Sequence, residues 1–437
     1  MANAIDLFCG AGGMSEGLIQ AGFHILFSND INEQVQVTYM HRHEQLGYIQ
    51  DFNTCYYRGD IRNITGAFVL DSINNLTEVK NGHINPHIDA IFGGPPCQGF
   101  SRAGLRGGIN DPRNFLFREY VRVISQIQPD YVVMENVEGF FDTKLEGFVG
   151  LQGHEYHGNA CLAPALLTQE LALIGYTVIP PKILVASDYG VPQNRHRAIF
   201  LAYRNGLSAP NYPVPFNQPK LTLRDAIGDL ANPRAHRSPF ALASIAGRTP
   251  SLITGQPIAR TELTNMDLSN QTPAVVERLS LFKQGQKATD LRSQIKKNGI
   301  DLTPYPALVE LCSSSLKLPP EAVIAHFQKP VSITDHDLDV LVTRKNMRTR
   351  LDYSRPSLTV VTLPDDYIHP TLDRTFSVRE MARMQSFDDS FEFLGKRTTG
   401  GPRRRVEIPQ YSQVGNAVPP LLAKAVALQI LAAINRN

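Results

Sequence analysis

A chain of 437 residues is long enough for two domains with separate cores, and 43 Lys and Arg against 41 Asp and Glu leave a net charge of only +2. That balance excludes a global basic field, so any surface for a polyanion has to be local. Five scattered cysteines without a Cys-x-x-Cys pair argue against a disulfide framework or a zinc site and for a reducing compartment; with no charged leader ahead of the first apolar strand, the expectation is a soluble cytoplasmic protein without membrane span or metal.

Residues 5–8 read as a short apolar strand, followed by Cys9-Gly10-Ala11-Gly12-Gly13 and a helical stretch over residues 14–21. Strand, glycine turn and helix open a nucleotide-binding βαβ unit, in which glycines let a ligand approach the backbone at the helix N-terminus. No Gly-Lys-Ser/Thr follows, so the turn is not a phosphate-binding P-loop. Residues 25–27 form a second strand ending at Asn29-Asp30, twenty residues past Gly10, where a carboxylate reaches a ribose diol. Gly59-Asp60-Ile61 closes a third segment, and Asp60 suits either an adenine amino group or the cap of a turn. The asparagine-rich stretch 65–86 reads as helix plus loop.

The apolar run 88–92 reads as a buried strand that stops at Gly93-Gly94-Pro95-Pro96-Cys97-Gln98. Two glycines and two prolines cannot continue a ladder and force a rigid turn. Cys97 therefore falls at a strand's carboxyl end, where open α/β sheets place ligands; a lone cysteine is otherwise a small buried hydrophobe. The glycine- and arginine-rich stretch 102–108 reads as a loop able to close on a phosphate-bearing substrate. Phe117, Val121, Ile124 and Ile127 recur at helical spacing as core positions. A further strand, residues 131–134, delivers Glu135-Asn136-Val137 to the same edge as Cys97 and makes Glu135 a catalytic candidate. Gln193-Asn194-Arg195-His196-Arg197 leads into a strand over 198–202, with Arg195 and Arg197 on one face of an extended segment.

From about residue 205 the texture changes: prolines crowd 210–219 as a linker, and residues 205–350 carry 18 Lys and Arg against 12 Asp and Glu. Arg344, Lys345, Arg348 and Arg350 close that stretch as a patch suited to phosphates. Ser377-Val378-Arg379-Glu380 starts an amphipathic helix with a capping box. Gly415-Asn416-Ala417-Val418-Pro419-Pro420 runs into an apolar helix over 421–434 that has to be buried, back against the first domain.

Asp-Leu-Phe-Cys-Gly-Ala-Gly-Gly at 6–13, Pro-Pro-Cys-Gln at 95–98, Glu-Asn-Val at 135–137, Gln-Asn-Arg-His-Arg at 193–197 and Gly-Asn-Ala-Val-Pro-Pro at 415–420 resemble, in this order, the motifs of the cytosine-C5 DNA methyltransferases. The resemblance spans residues 5–420. It implies an α/β fold, the Rossmann-like mixed sheet of S-adenosylmethionine (SAM)-dependent methyltransferases, with a second, smaller target-recognition domain. On that pattern residues 1–215 form the catalytic SAM-binding domain, 216–404 the target-recognition domain, and 405–437 a C-terminal segment packing back on the first. SAM is the implied cofactor, touched by Phe8, Gly10, Asp30, Ile31, Asp60, Ile61, Pro95, Leu116, Asn416 and Ala417. Asp30 departs from the pattern by one methylene, since Glu is the usual ribose carboxylate. The implied substrate is duplex DNA held in the cleft between domains, with a cytosine flipped out; a monomer is expected, with a cognate restriction endonuclease as candidate companion.

The chemistry explains the residue types independently. Cytosine C5 is too electron-poor to attack a methyl sulfonium, but thiolate addition from Cys97 at C6 makes C5 a nucleophile. Addition pushes charge onto N3, where Glu135 would supply a proton. Arg197 would hold the base O2, with Arg195 ordering the site. A base then removes the C5 proton and the thiol leaves; no residue identifies itself as that base. None of these ring atoms is reachable in stacked duplex, hence the flipped base. Three rivals remain at this level: the same chemistry on tRNA, a DNA-binding regulator on an inactive scaffold, and a cysteine hydrolase. Intact Cys97, Glu135 and Arg197 oppose the second, and the lack of a histidine partner placed by motif opposes the third.

Overall fold

The computed structural model describes residues 1–96, 116–232, 234–260, 262–399, 403 and 407–437. Cys97 and the 102–108 loop lie outside the described residues. Seven strands form one sheet: β1 (Ala2–Leu7), β2 (Phe23–Asp30), β3 (Cys55–Arg58), β4 (Ala90–Gly93), β5 (Tyr131–Val137), β6 (Tyr176–Val185) and β7 (His196–Arg204). Their order across the sheet is β3-β2-β1-β4-β5-β7-β6. β1 to β5 are parallel, and β7 runs antiparallel between β5 and β6. The main helices among the first strands are α1 (Gly13–Ala21), α2 (Glu33–Gln45), α3 (Gly66–Asn74), α4 (Leu116–Ile127) and α5 (Ala163–Leu173). This is the mixed α/β sheet expected from the motif pattern.

Parallel strands are covered on both faces, so each reads as a nearly continuous apolar run. Ile5, Leu7, Ile91, Val132 and Met134 face one core, filled from above by Val69 and Ile73 of α3 and by Phe117, Val121 and Ile124 of α4. Ala4, Ile25, Phe92, Val133 and Leu201 face the other, closed by Met14, Leu18 and Ile19 of α1 and by Leu422, Val426 and Ile430. Burial of each large side chain stabilises the fold by about 1.5–3 kcal/mol.

The final helix, Pro420–Ile434, lies on α1 as the apolar composition required. Two glycines allow that approach. A Cβ on Gly13 would stand 2.3 Å from the Val418 carbonyl oxygen, and one on Gly17 would stand 2.5 Å from Ala423 Cβ. The stretch Gln410–Ile434 is long and apolar enough to cross a bilayer by composition, but its Leu422, Val426 and Ile430 are spent on this core.

Beyond residue 220 two further cores follow. One joins helix Leu223–Ala231 and Phe240 to residues 351–393 and to Ala11, Val414 and Ala417, so it abuts the glycine turn of the first domain. The other is wholly helical in its main elements, Pro273–Ser280, Ala288–Asn298, Pro306–Leu316, Pro320–Phe327 and Asp335–Leu341, packed around Leu291, Leu308, Val323, Phe327 and Leu338.

Two readings from the sequence need correction here. The helix Val378–Met384 has its expected Ser377–Glu380 capping box, but its polar face does not meet water. Arg379, Glu380 and Arg383 are all 0% exposed. Arg383 pairs with Asp389 at 2.7 Å and with Asp229 at 2.8 Å, and Glu380 pairs with Arg374 at 2.7 Å. Charges at helical spacing therefore marked a buried ion network, because each finds a partner. Likewise the basic cluster near 350 is mostly neutralised within the protein. Lys345 binds Asp365 and Asp366, Arg348 donates to the Asp365 carbonyl, and Arg350 is buried against Asp373 and three carbonyl oxygens. Arg344 alone of the four keeps an exposed side chain, at 80%.

Candidate active site

The glycine turn after β1 depends on backbone conformations that L side chains rarely adopt. Gly10 and Gly12 have φ of 54° and 97°, and Phe8, with φ 59°, adopts the left-handed region without being glycine. Such a strained residue costs about 1–3 kcal/mol and is held only when its surroundings over-determine it. A Cβ on Gly10 would meet no atom within 4 Å, so the turn presents open space at the strand's carboxyl end.

Asp30 ends β2 beside that turn. Its carboxylate accepts from the Gly10 amide at 3.0 Å and from the Asn32 amide at 2.8 Å. Burial pushes its pKa up, and those amides pull against the shift. The next residue, Ile31, is 65% exposed. A glycine turn with positive φ, open in front and bordered by a carboxylate held by two backbone amides, fits the ribose and amino-acid ends of SAM.

Other expected cofactor positions are less direct. Asp60 caps a short turn, accepting from the Arg62 amide at 2.9 Å, and the Arg62 guanidinium engages both its oxygens. That contact holds its pKa below the usual carboxylate value. An adenine amino group at Asp60 would share the carboxylate with Arg62, whose side chain is 60% exposed. Ile61 turns its side chain into the first core, and its carbonyl accepts from Arg122 at 2.9 Å. Leu116 is partly buried at the start of α4. Pro95 is buried and Asn416 exposed, while Ala417 packs 3.1 Å from where a Gly13 Cβ would lie.

Glu135 and Arg197 come together on adjacent antiparallel strands. Val137 on β5 is registered with Arg197 on β7, and the Arg197 Nε lies 2.5 Å from the Glu135 Oε1. Both residues are nearly buried. The pair stands beside the turn leading to Cys97: Asn136 Nδ2 donates to the Pro95 carbonyl at 3.1 Å, and a Cβ on Gly94 would fall 3.3 Å from Glu135 Oε2. Burial lowers the Arg197 pKa, with Glu135 opposing the shift.

Arg195 does something different from its neighbour. It is wholly buried and donates from Nη1 to the Val360 carbonyl at 3.1 Å and from Nη2 to the Gly415 carbonyl at 2.9 Å. Burial and the nearby Arg197 charge drive its pKa down. It thereby fastens residues 360 and 415 to the start of β7.

Sequence reasoning missed two groups. Gln193 Nε2 donates to Gln385 Oε1 at 2.9 Å and to the Met384 carbonyl at 3.2 Å, while its Oε1 accepts from the Val360 amide at 2.8 Å. Beneath the glycine turn, Ser15 donates to Asp6 at 2.6 Å and meets the Tyr39 hydroxyl at 2.8 Å, which reaches Ser28 at 2.5 Å. Burial pushes the Asp6 pKa up to about 7, against the pull of Ser15, with Asp30 adding to the rise. The signal was present, since Asp6 is a charged residue inside an otherwise apolar strand, where an unpaired carboxylate is costly.

The model of the C-5 cytosine-specific DNA methylase family matches residues 2–432. The chain belongs to that family. It is a DNA cytosine methyltransferase, of a family that uses SAM. Among similar proteins, the type II methyltransferase M1.HphI of Haemophilus parahaemolyticus is 31% identical over 98% of this chain and 86% of its own length. The type II methyltransferase M.DdeI of Desulfomicrobium norvegicum is 30% identical over 98% of this chain and 88% of its own. A crystal structure described as a DNA modification methyltransferase encoded in an Escherichia coli prophage superposes with a TM-score of 0.64 over 100% of both chains, at 20% identity, and shares the fold.

Proposed function

We propose that this methyltransferase moves the methyl group of SAM to C5 of a cytosine flipped out of a specific duplex DNA sequence, through a covalent bond from Cys97. The observation that carries the reading is the Glu135–Arg197 pair, 2.5 Å apart and set against Gly94 and Pro95 at the edge that also bears Asp30 and the glycine turn. Cytosine N3 and O2 are neighbouring acceptors on one ring edge, so a carboxylic acid and a guanidinium in contact match them side by side. Glu135 donates a proton to N3 as the Cys97 thiolate adds to C6, and Arg197 holds O2. Bound at the glycine turn, SAM supplies the electrophilic methyl. Asp30 orients the ribose, and Phe8, Gly10, Ile31, Asp60, Ile61, Pro95, Leu116, Asn416 and Ala417 border it. Methyl transfer would leave S-adenosylhomocysteine; a base then takes the C5 proton as the C6–S bond breaks, which restores the Cys97 thiolate, and N3 returns its proton to Glu135. Arg195 keeps the Val360 and Gly415 segments in place around this centre.

Residues 1–215 hold the chemistry and 216–404 the recognition of DNA, with 405–437 returning to the first domain. The names of the relatives support a modification role beside a cognate restriction endonuclease. The test is duplex DNA carrying 5-fluorocytosine in every candidate position, incubated with SAM and run on a denaturing gel. Fluorine cannot leave C5 as a cation, so the enzyme should stall as a methylated adduct attached at Cys97, and Cys97→Ser should bind the DNA yet form none. An adduct at Cys9, Cys55, Cys161 or Cys312, none from active enzyme, or methyl transfer to tRNA in preference to duplex DNA would overturn the reading.

A further inference from the structure

The segment after the helical core holds Arg344, Asn346 and Met347 out into solvent. Helix Asp335–Leu341 is the last helix of that core, and residues 343–348 follow it to the short strand Thr349–Arg350. Lys345 Nζ bonds Asp366 at 3.0 Å, Arg348 Nε bonds the Asp365 carbonyl at 2.9 Å, and the Arg348 amide closes a turn on the Lys345 carbonyl at 3.1 Å. Between and beside these anchors, Met347 is 72% exposed and the Arg344 side chain is 80% exposed. Among the described residues Arg344 meets the protein through Nε, 3.5 Å from Asp339, and its two Nη groups make no hydrogen bond there.

A chain of contacts ties this loop to the catalytic pair. Thr349 is registered with Tyr367, the Tyr367 hydroxyl donates to the Thr359 carbonyl at 2.8 Å, and Arg195 holds the next residue, Val360. Asp365, which anchors Lys345, also lines a cleft of about 410 Å³ with Thr362, Glu407 and Tyr411. An arginine on an anchored loop starts from a fixed backbone position, and its planar fork suits a base edge as well as it suits a phosphate.

We propose that Arg344 is a specificity-determining residue, reading one guanine of the recognition sequence by paired hydrogen bonds from its Nη groups to O6 and N7 in the major groove. Met347 beside it excludes water from that contact. The inference rests on the reading that the substrate is duplex DNA. Bidentate contacts of this kind discriminate against the wrong base by between about fivefold and 150-fold.

The experiment expresses the full chain, Arg344→Ala and Arg344→Lys in cells without cytosine methylation and maps methylated cytosines by bisulfite sequencing. Wild type defines a site; Arg344→Ala should methylate sites bearing other bases at one guanine position, and Arg344→Lys, which keeps the charge without the fork, should lose part of the same discrimination. An unchanged site in both variants overturns the assignment. So does a uniform fall over all sequences with a salt slope smaller by about one, the mark of a phosphate contact. If Arg344→Ala does not fold, Arg344→Lys decides alone. Should wild type methylate no cytosine in duplex DNA, the functional reading fails with it; a defined wild-type site kept by both variants sinks only the role of Arg344.

Discussion

The sheet and the helical core of residues 279–342 stabilise their polar groups in opposite ways. On the sheet side, charged side chains are buried and held by backbone: Asp30 by the amides of Gly10 and Asn32, Arg195 by the carbonyls of Val360 and Gly415. Arg42, 1% exposed, bonds Glu16 at 2.7 Å, which joins α2 to α1. In the helical region the ion pairs run along the surface, as between Lys296 and Asp335 at 2.8 Å, with side chains 47% and 76% exposed. Its interior is mainly aliphatic and aromatic, with Asp337 buried beside His326. A chemical centre needs the first arrangement, because its groups must not move; a surface that presents different side chains to different partners needs only the second.

The largest test of that contrast is Arg42→Ala set against Lys296→Ala. Removing Arg42 leaves Glu16 and Asp388 buried without their cation and should cost about 3–5 kcal/mol in urea unfolding. Removing Lys296 should cost about 0–1 kcal/mol, since that pair lies in solvent. Equal losses would erase the distinction between the regions.

On the sheet side alone, Asp30→Ala should weaken SAM binding by about 1.5–3 kcal/mol in calorimetric titration, the worth of a charge-assisted hydrogen bond. Its unfolding transition should move little, because the Gly10 and Asn32 amides then turn to water at the open end of the turn. Unaltered SAM affinity removes Asp30 from the site.

The smallest expected effect belongs to the helical core. Ile295→Val deletes one buried methylene-sized group and should cost about 0.5–1.5 kcal/mol. Amide hydrogen exchange should quicken within residues 279–342 and stay unchanged in β1 and β5, if the two cores open separately. Faster exchange spread through the sheet would join them into one unit.

The same contrast explains what could be read from the chain. Glycines at 10 and 12, Asp30 at the end of β2 and Glu135 toward the end of β5 were legible, because a turn with positive φ and a carboxylate at a strand's carboxyl end restrict the residue type at fixed spacing. The strands themselves followed from continuous apolar runs. The helical region was visible only as a fading of alternation, since five short helices around Leu291 and Leu308 use ordinary core residues in many interchangeable patterns. The ion network was misread for another reason: Arg379, Glu380 and Arg383 sit at a spacing that usually marks a wet helix face, and their partners Asp229 and Asp389 come from other segments. Arg195 and Arg197 looked alike in sequence and diverge only through what β5 and residue 415 bring to them.

The wall placed on Gly13 by Val418 has a temporal consequence. Translation releases the glycine turn roughly 400 residues ahead of the segment that covers it. A growing chain can assemble its sheet long before that contact exists, but the turn stays open on its α1 side until the last helix arrives. A protein cut short before Val418 would keep Cys97, Glu135 and Arg197 and still lack that flank. Nascent or truncated chains would thus have the glycine turn and its sheet while one wall of the turn is still missing.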